Sequence, residues 1–179
     1  MSRTYLTLIL ALMASVVLSA CEEETTRPVV PPELEGMEGV VQYGFEAIIT
    51  RRGVREAVAT ADAAYTFEDS TVVHMEGDVR LVSYDPDTGR ELAEVTSDWG
   101  RLNLSSNAMI ARRNAVLVIR EDERRIESAE LHYAPDRNLI WSDSASTMYT
   151  DDRIIEGSGF ESDLQFQRPT IRNARTRRR

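Results

Sequence analysis

Side chains able to do chemistry are sparse in this chain. It has two histidines, His74 and His132, and one cysteine, Cys21. Nucleophilic acyl transfer would need Ser128 or Ser162 beside a histidine and an acid, and glycosidic cleavage would need a carboxyl pair such as Asp98 with Glu130. Neither set has support in its surroundings. No G-x-S-x-G turn exposes a serine, and the acids alternate with apolar residues as the wet face of a strand does. Asp151-Asp152 and Glu121-Asp122-Glu123 fall at expected turn tips. No Cys/His spacing fits a metal, and no glycine-rich loop follows a strand to hold phosphate. The expectation is no catalytic residue, no metal and no cofactor.

Cys21 is different, because of what precedes it. Arg3 is followed by an apolar run from Tyr5 to Leu18, and Leu18-Ser19-Ala20 leads into the cysteine before Glu22-Glu23-Glu24 begins. The run is too short for the roughly 20 apolar residues of a membrane span and reads as a cleaved signal. Leu18-Ser19-Ala20-Cys21 resembles the lipobox of bacterial lipoproteins, which implies acylation of Cys21 as the first mature residue; a plain secretory signal is the competing reading. With no second cysteine, an intramolecular disulfide is impossible. All 21 basic residues are arginine, against 30 acids, for a net charge of -9. Such a balance excludes a general nucleic-acid binder.

After the signal at 1–20, residues 21–39 are acidic and rich in Pro and Gly, and read as a tether reaching at most roughly 60 Å when extended. The folded part is expected over 40–173, with a basic tail at 174–179. Its period is two. In the stretch from Ile126 to Asp163, Ala129, Leu131 and Tyr133 alternate with Ser128, Glu130 and His132. Upstream, Ala57, Ala59, Ala61, Ala63, Tyr65 and Phe67 are expected on one face of one strand, and Ala93, Val95, Ser97 and Trp99 on one face of another. Turn signals at Glu76-Gly77-Asp78, Asp85-Pro86-Asp87-Thr88-Gly89 and Ala134-Pro135-Asp136 divide the chain into about twelve short strands. A weak repeat lays Thr96-Ser97-Asp98 over Glu127-Ser128-Ala129 at a shift of 31, and Ile126-Glu127 over Ile155-Glu156 at a shift of 29. The pattern is all-β, a sandwich or a roll. Small residues on the apolar face leave open whether that face is tightly packed or forms a groove.

Ser128-x-x-Leu131-x-Tyr133, then Trp141-Ser142-Asp143, then Gly157-x-Gly159 with Glu161-x-Asp163, together with Ala61-Asp62-Ala63-Ala64-Tyr65, Tyr84-Asp85 and Gly89, resemble the LptC family of lipopolysaccharide-export proteins over roughly residues 43–172. The resemblance implies a single open, twisted β-jelly roll, the "β-taco", of antiparallel strands. It implies a non-enzymatic role: accepting lipopolysaccharide from an inner-membrane ABC transporter and passing it to an LptA-like periplasmic bridge by edge-strand pairing. Acyl chains would lie in an apolar groove, with Tyr65, Phe67, Val95, Trp99, Ala129, Leu131, Tyr133 and Phe160 as its expected lining. Exposing a chain of 12 to 14 carbons costs on the order of 10 kcal/mol, so a carrier must shield it throughout. A lipobox in place of the family's transmembrane helix implies lipid anchoring on the periplasmic side, at the inner membrane. A structural or adhesive envelope lipoprotein is the alternative. The six arginines from Arg168 to Arg179 read either as a solvated tail or as a contact for phosphate or an acidic partner.

Overall fold

The computed structural model describes residues 39–179. The expected signal, the lipidation site Cys21 and the tether up to residue 38 lie outside the described residues. The chain forms β1 (Gly39–Arg51), β2 (Val54–Phe67), β3 (Val72–Tyr84), β4 (Glu91–Asn103), β5 (Met109–Ile119), β6 (Arg124–Ala134), a 3-10 turn (Pro135–Arg137), β7 (Leu139–Ser142), β8 (Ser146–Tyr149), β9 (Arg153–Gly157), β10 (Gly159–Ser162), β11 (Thr170–Arg172) and β12 (Arg175–Arg178). All strand pairs are antiparallel. The fold class matches the sequence expectation, but the first six strands are long. Glu76-Gly77-Asp78, expected to turn the chain, lies inside β3, and Met109–Ile119 runs as one strand, β5.

Those internal irregularities fall on one line. The register shifts between Thr60 and Ala63, between Glu76 and Val79, between Thr96 and Trp99, and between Arg112 and Ala115. Gly44, Gly77, Asp78, Arg113 and Asn114 have positive φ on the same line. β3 and β5 each carry an extra residue against both neighbours, which bends the pairs, and the partners β2, β4 and β6, lacking it, present their following side chains to the other face. Repeated in alternate strands, the bulges crease the sheet into two leaves. Leaf A holds Gly39–Tyr43, Ala63–Phe67, Val72–Glu76, Trp99–Asn103, Met109–Arg112 and the end of β6, followed by β7, β10 and β11. Leaf B holds Phe45–Arg51, Val54–Thr60, Val79–Tyr84, Glu91–Ser97, Ala115–Ile119 and the start of β6, followed by β8, β9 and β12.

Beyond β6 the chain no longer passes straight through the crease; it crosses from leaf to leaf between short strands. β6 pairs with β7 through His132–Ala134 and with β8 through Arg125–Ser128. At this fork Ser128 Oγ lies 2.8 Å from Ser142 Oγ, Ser146 donates to Ser128 at 3.2 Å, and the Ser144 amide donates to Ser142 Oγ at 3.0 Å. Hydroxyls thus satisfy polar groups where the ladder changes partner. The second crossing, Ser158, needs its flanking glycines. A Cβ on Gly157 would run into the Arg172 carbonyl oxygen and the Ile171 side chain, and one on Gly159 into the Arg172 guanidinium. Asn173-Ala174 makes the third crossing, from β11 to β12. The expected tail at 174–179 therefore contains a paired strand.

Candidate functional site

The two leaves face each other across one apolar interior. Leaf A contributes Ala64, Val73, Met75, Leu102, Met109, Ala111, Leu131, Tyr133, Ile140 and Phe160, and leaf B contributes Ala57, Ala59, Leu81, Val95, Leu117 and Ile126, all in one buried cluster. Alternation within each half-strand sets these faces, and the crease resets it between halves. A crevice of about 170 Å³ lies at the middle, between Leu81 and Val95 of leaf B and Met109, Ala111, Leu131, Tyr133 and Ile140 of leaf A. It is too narrow to admit a water molecule. The alanines are packed against larger partners, so the interior is closed.

Four of the eight expected lining residues, Val95, Leu131, Tyr133 and Phe160, meet in this interior. Tyr65, Phe67 and Trp99 do not. The register shift after Thr60, opposite the extra residue of β3, puts Ala64 on the inner face, so Ala63, Tyr65 and Phe67 fall on the outer one; the shift after Thr96 likewise turns Trp99 outward while Gly100 faces Met75, Val79 and Met109. Ala129 is exposed, at the crease. The continuous faces expected from Ala57 to Phe67 and from Ala93 to Trp99 are each split in two.

The outer face of leaf A carries its own order. Phe67 and Trp99 meet His74 edge-on at 6.0 and 6.2 Å between ring centroids, and the Arg112 guanidinium lies 5.6 Å from the Trp99 ring. Arg112 reaches Glu130 at 3.0 Å, His132 Nε2 lies 3.1 Å from the other Glu130 oxygen, and His132 stacks on Trp141 at 4.9 Å. The hydrogen bond from His132, with that from Arg112, holds the Glu130 carboxyl below its usual range. Ser128 is committed to Ser142, Ser146 and the Ala145 carbonyl. The Asp98 carboxylate accepts from Asn114 at 2.6 Å. These polar groups hold strands together and converge on no shared point.

Opposite the crease, hairpin tips of the two leaves meet. Arg51 of leaf B reaches Glu56 at 3.0 Å and Asp136 of leaf A at 3.7 Å. Close by, burial, reinforced by the Glu56 carboxylate and partly opposed by Arg51, pushes the Tyr133 hydroxyl up to about 12. Phe166, in the loop between β10 and β11, enters the core from a positive-φ position, and its carbonyl accepts from Arg124 of leaf B at 3.3 Å. Sequence reading missed Phe166, whose loop has no period, and missed Arg172, whose role depends on residues far along the chain. Only the Gly157-x-Gly159 spacing marked that crossing.

A creased antiparallel sheet, folded over an apolar interior along its length and ending in edge strands unpaired among the described residues, defines an open β-roll. The chain belongs to the LptC family: the family model for "Lipopolysaccharide-assembly, LptC-related" matches residues 6–177. A solved structure that it resembles is that of LptH, the LptA-homologous periplasmic component of the lipopolysaccharide transport device from Pseudomonas aeruginosa. The two share 16% identity with a TM-score of 0.52, over 64% of this chain and 80% of that one, a likeness of fold. No curated protein sequence matches the chain.

Proposed function

We propose that the protein is a non-enzymatic lipopolysaccharide carrier that takes the lipid from an inner-membrane ABC transporter and hands it to an LptA-like periplasmic bridge. The observation that carries this reading is the interior shared by Val95, Leu131, Tyr133 and Phe160, a long apolar face between two leaves joined along the crease. Burying acyl chains there replaces leaf-to-leaf contact with leaf-to-lipid contact, so entry requires parting the leaves and leaves few cavities behind. Tight binding would stall transfer; a row of similar apolar sites supports passage. The edge of β1, unpaired among the described residues and with Val40 and Tyr43 exposed, suits strand addition by a neighbour. Acylation of Cys21 would hold the domain on the periplasmic side of the inner membrane.

Photo-crosslinkers placed singly at Val95, Leu131 and Phe160 should capture lipopolysaccharide in cells. Absence of adducts at all three, with the protein folded and anchored, would sink this reading. The closed interior favours one competitor, a structural envelope lipoprotein with a packed core. That alternative predicts no lipid in the native mass spectrum of the purified protein and no adduct at any of the three positions.

A further inference from the structure

Among the described residues some arginines meet a carboxylate and others do not: Arg55 and Arg137 lie over the Tyr84 and Trp141 rings, Arg52, Arg90, Arg101 and Arg168 are scattered along the chain, and three more are gathered within five residues at β12. Arg51, Arg80, Arg112, Arg113, Arg120, Arg124 and Arg125 each meet a carboxylate. On β12 only Arg177 does so, reaching Glu156 at 3.4 Å. Arg175, Arg178 and Arg179 are exposed and meet no carboxylate among the described residues. Arg178 stands directly across from Arg153 in the β9–β12 register, and Arg153 has only the exposed Asp152 beside it, at 3.0 Å. Like charges directly opposite on neighbouring strands are unfavourable unless an anion lies between them. Among the described residues Glu156 is the single carboxylate that meets this strand.

The position of β12 indicates which anion. β11 and β12 are the last strands of leaf A and leaf B, separated by only Asn173 and Ala174, so the interior ends between them. An amphiphile with its chains between the leaves holds its head at such a rim. Row charges on an edge strand discourage backbone pairing with another strand. Planar guanidinium forks, by contrast, match phosphate oxygens two at a time. We propose that β12 and the residue after it form a phosphate-binding edge, on which Arg178 with Arg153 opposite on one face, and Arg175 with the following Arg179 on the other, grip the phosphates of a lipopolysaccharide head group while its acyl chains occupy the interior. This rests on the carrier reading above.

The test uses the full chain in detergent and its R175Q/R178Q/R179Q variant, with equal melting temperatures as the check on folding. Binding is measured over a salt series to lipopolysaccharide, to the same lipid after phosphatase treatment, and to inorganic phosphate alone. The variant is expected to bind intact lipopolysaccharide about tenfold more weakly, with a shallower salt dependence, while the two proteins bind the dephosphorylated lipid alike. R175K/R178K/R179K, keeping charge without the planar fork, should fall between them. Equal binding of intact and dephosphorylated lipid by the parent overturns this proposal alone. Binding of inorganic phosphate as tightly as of the intact lipid assigns the edge to free phosphate and also overturns it. A parent that binds neither lipid overturns the carrier reading, and this one with it.

Discussion

Arg172 lies across Gly159. The two residues are paired in register between β11 and β10, and the guanidinium passes over the bare glycine to donate to the Ser142 carbonyl at 2.8 Å and to Asp143 at 2.6 Å. The backbone carbonyl of the same arginine accepts from Ser158 at 2.9 Å. One residue thus ties the end of β7 to the β9–β10 crossing, and it can do so only because Gly157 and Gly159 carry no side chain.

Gly157→Ala and Gly159→Ala should therefore differ. The first opposes a backbone carbonyl that cannot move aside, and should cost about 3 kcal/mol. The second opposes a side chain and should cost about 1 kcal/mol, chiefly by dislodging Arg172. In a double-mutant cycle read by denaturant melts, Gly159→Ala added to Arg172→Ala should cost little more than Arg172→Ala alone. Full additivity would show that the arginine does not span the glycine.

Phe166 brings a large buried ring from a loop into the core. Phe166→Ala should destabilise by about 3 kcal/mol. In a carrier it should also speed lipid uptake, because the loop that joins Arg124 across the hairpin tips loses its hold. Stopped-flow uptake by the parent and variant, compared at equal folded fraction, separates the two effects.

Tyr133 makes stability fall at high pH. Its hydroxyl titrates near 12 in the fold and near 10 in the unfolded chain. The unfolded state therefore loses the proton first, and stability is full below about pH 10 and declines above it. Between parent and Tyr133→Phe, the difference in unfolding free energy should change by about 2 kcal/mol from pH 9 to pH 12. A difference independent of pH would place the hydroxyl in water.

Asp143 acts at the other end of the scale. Its hydrogen bond from Arg172 lowers the carboxyl below the usual range, so its contribution is present above about pH 4 and fades as pH falls through the lowered value. Asp143→Asn should lower the neutral plateau only slightly, as suits an exposed pair, and leave the acid end unchanged, so that the acid limb flattens.

Trp99 separates the inner face from the outer. Crosslinkers at Val95 and Trp99, four residues apart on β4, should give opposite results: lipid captured at 95 and not at 99. Capture at 99 alone would mean that cargo rides on the aromatic face with Phe67 and His74.

The period of two made the strands legible, and turn residues located the hairpin tips. The same residues misled inside strands. Gly77, Asp78, Asn114 and their neighbours bend strands that continue, and a bulge has the local composition of a turn. For that reason the inner residues of β2 were legible as far as Ala61, and Tyr65 and Phe67 were assigned to the wrong face. The weak repeat at shifts of 31 and 29 reflects the crease: Asp98 and Ala129 both mark it, one hairpin apart, and the next step reaches Ser158 at the second crossing. Phe166 and Arg172 were illegible because their contacts are set by loops and crossings, which have no period.

The two ends of the roll are unlike. At one end a single strand, β1, edges both leaves and shows Val40, Tyr43 and Ile48; at the other, β11 and β12 end the leaves separately, and one of them is a row of arginines. An object with different ends has a direction. Copies or relatives joined end to unlike end, β1 of one against β11 and β12 of the next, all point the same way, so such a file has a fixed sense built into each member, closing into a ring where the rotation allows and staying open where it does not.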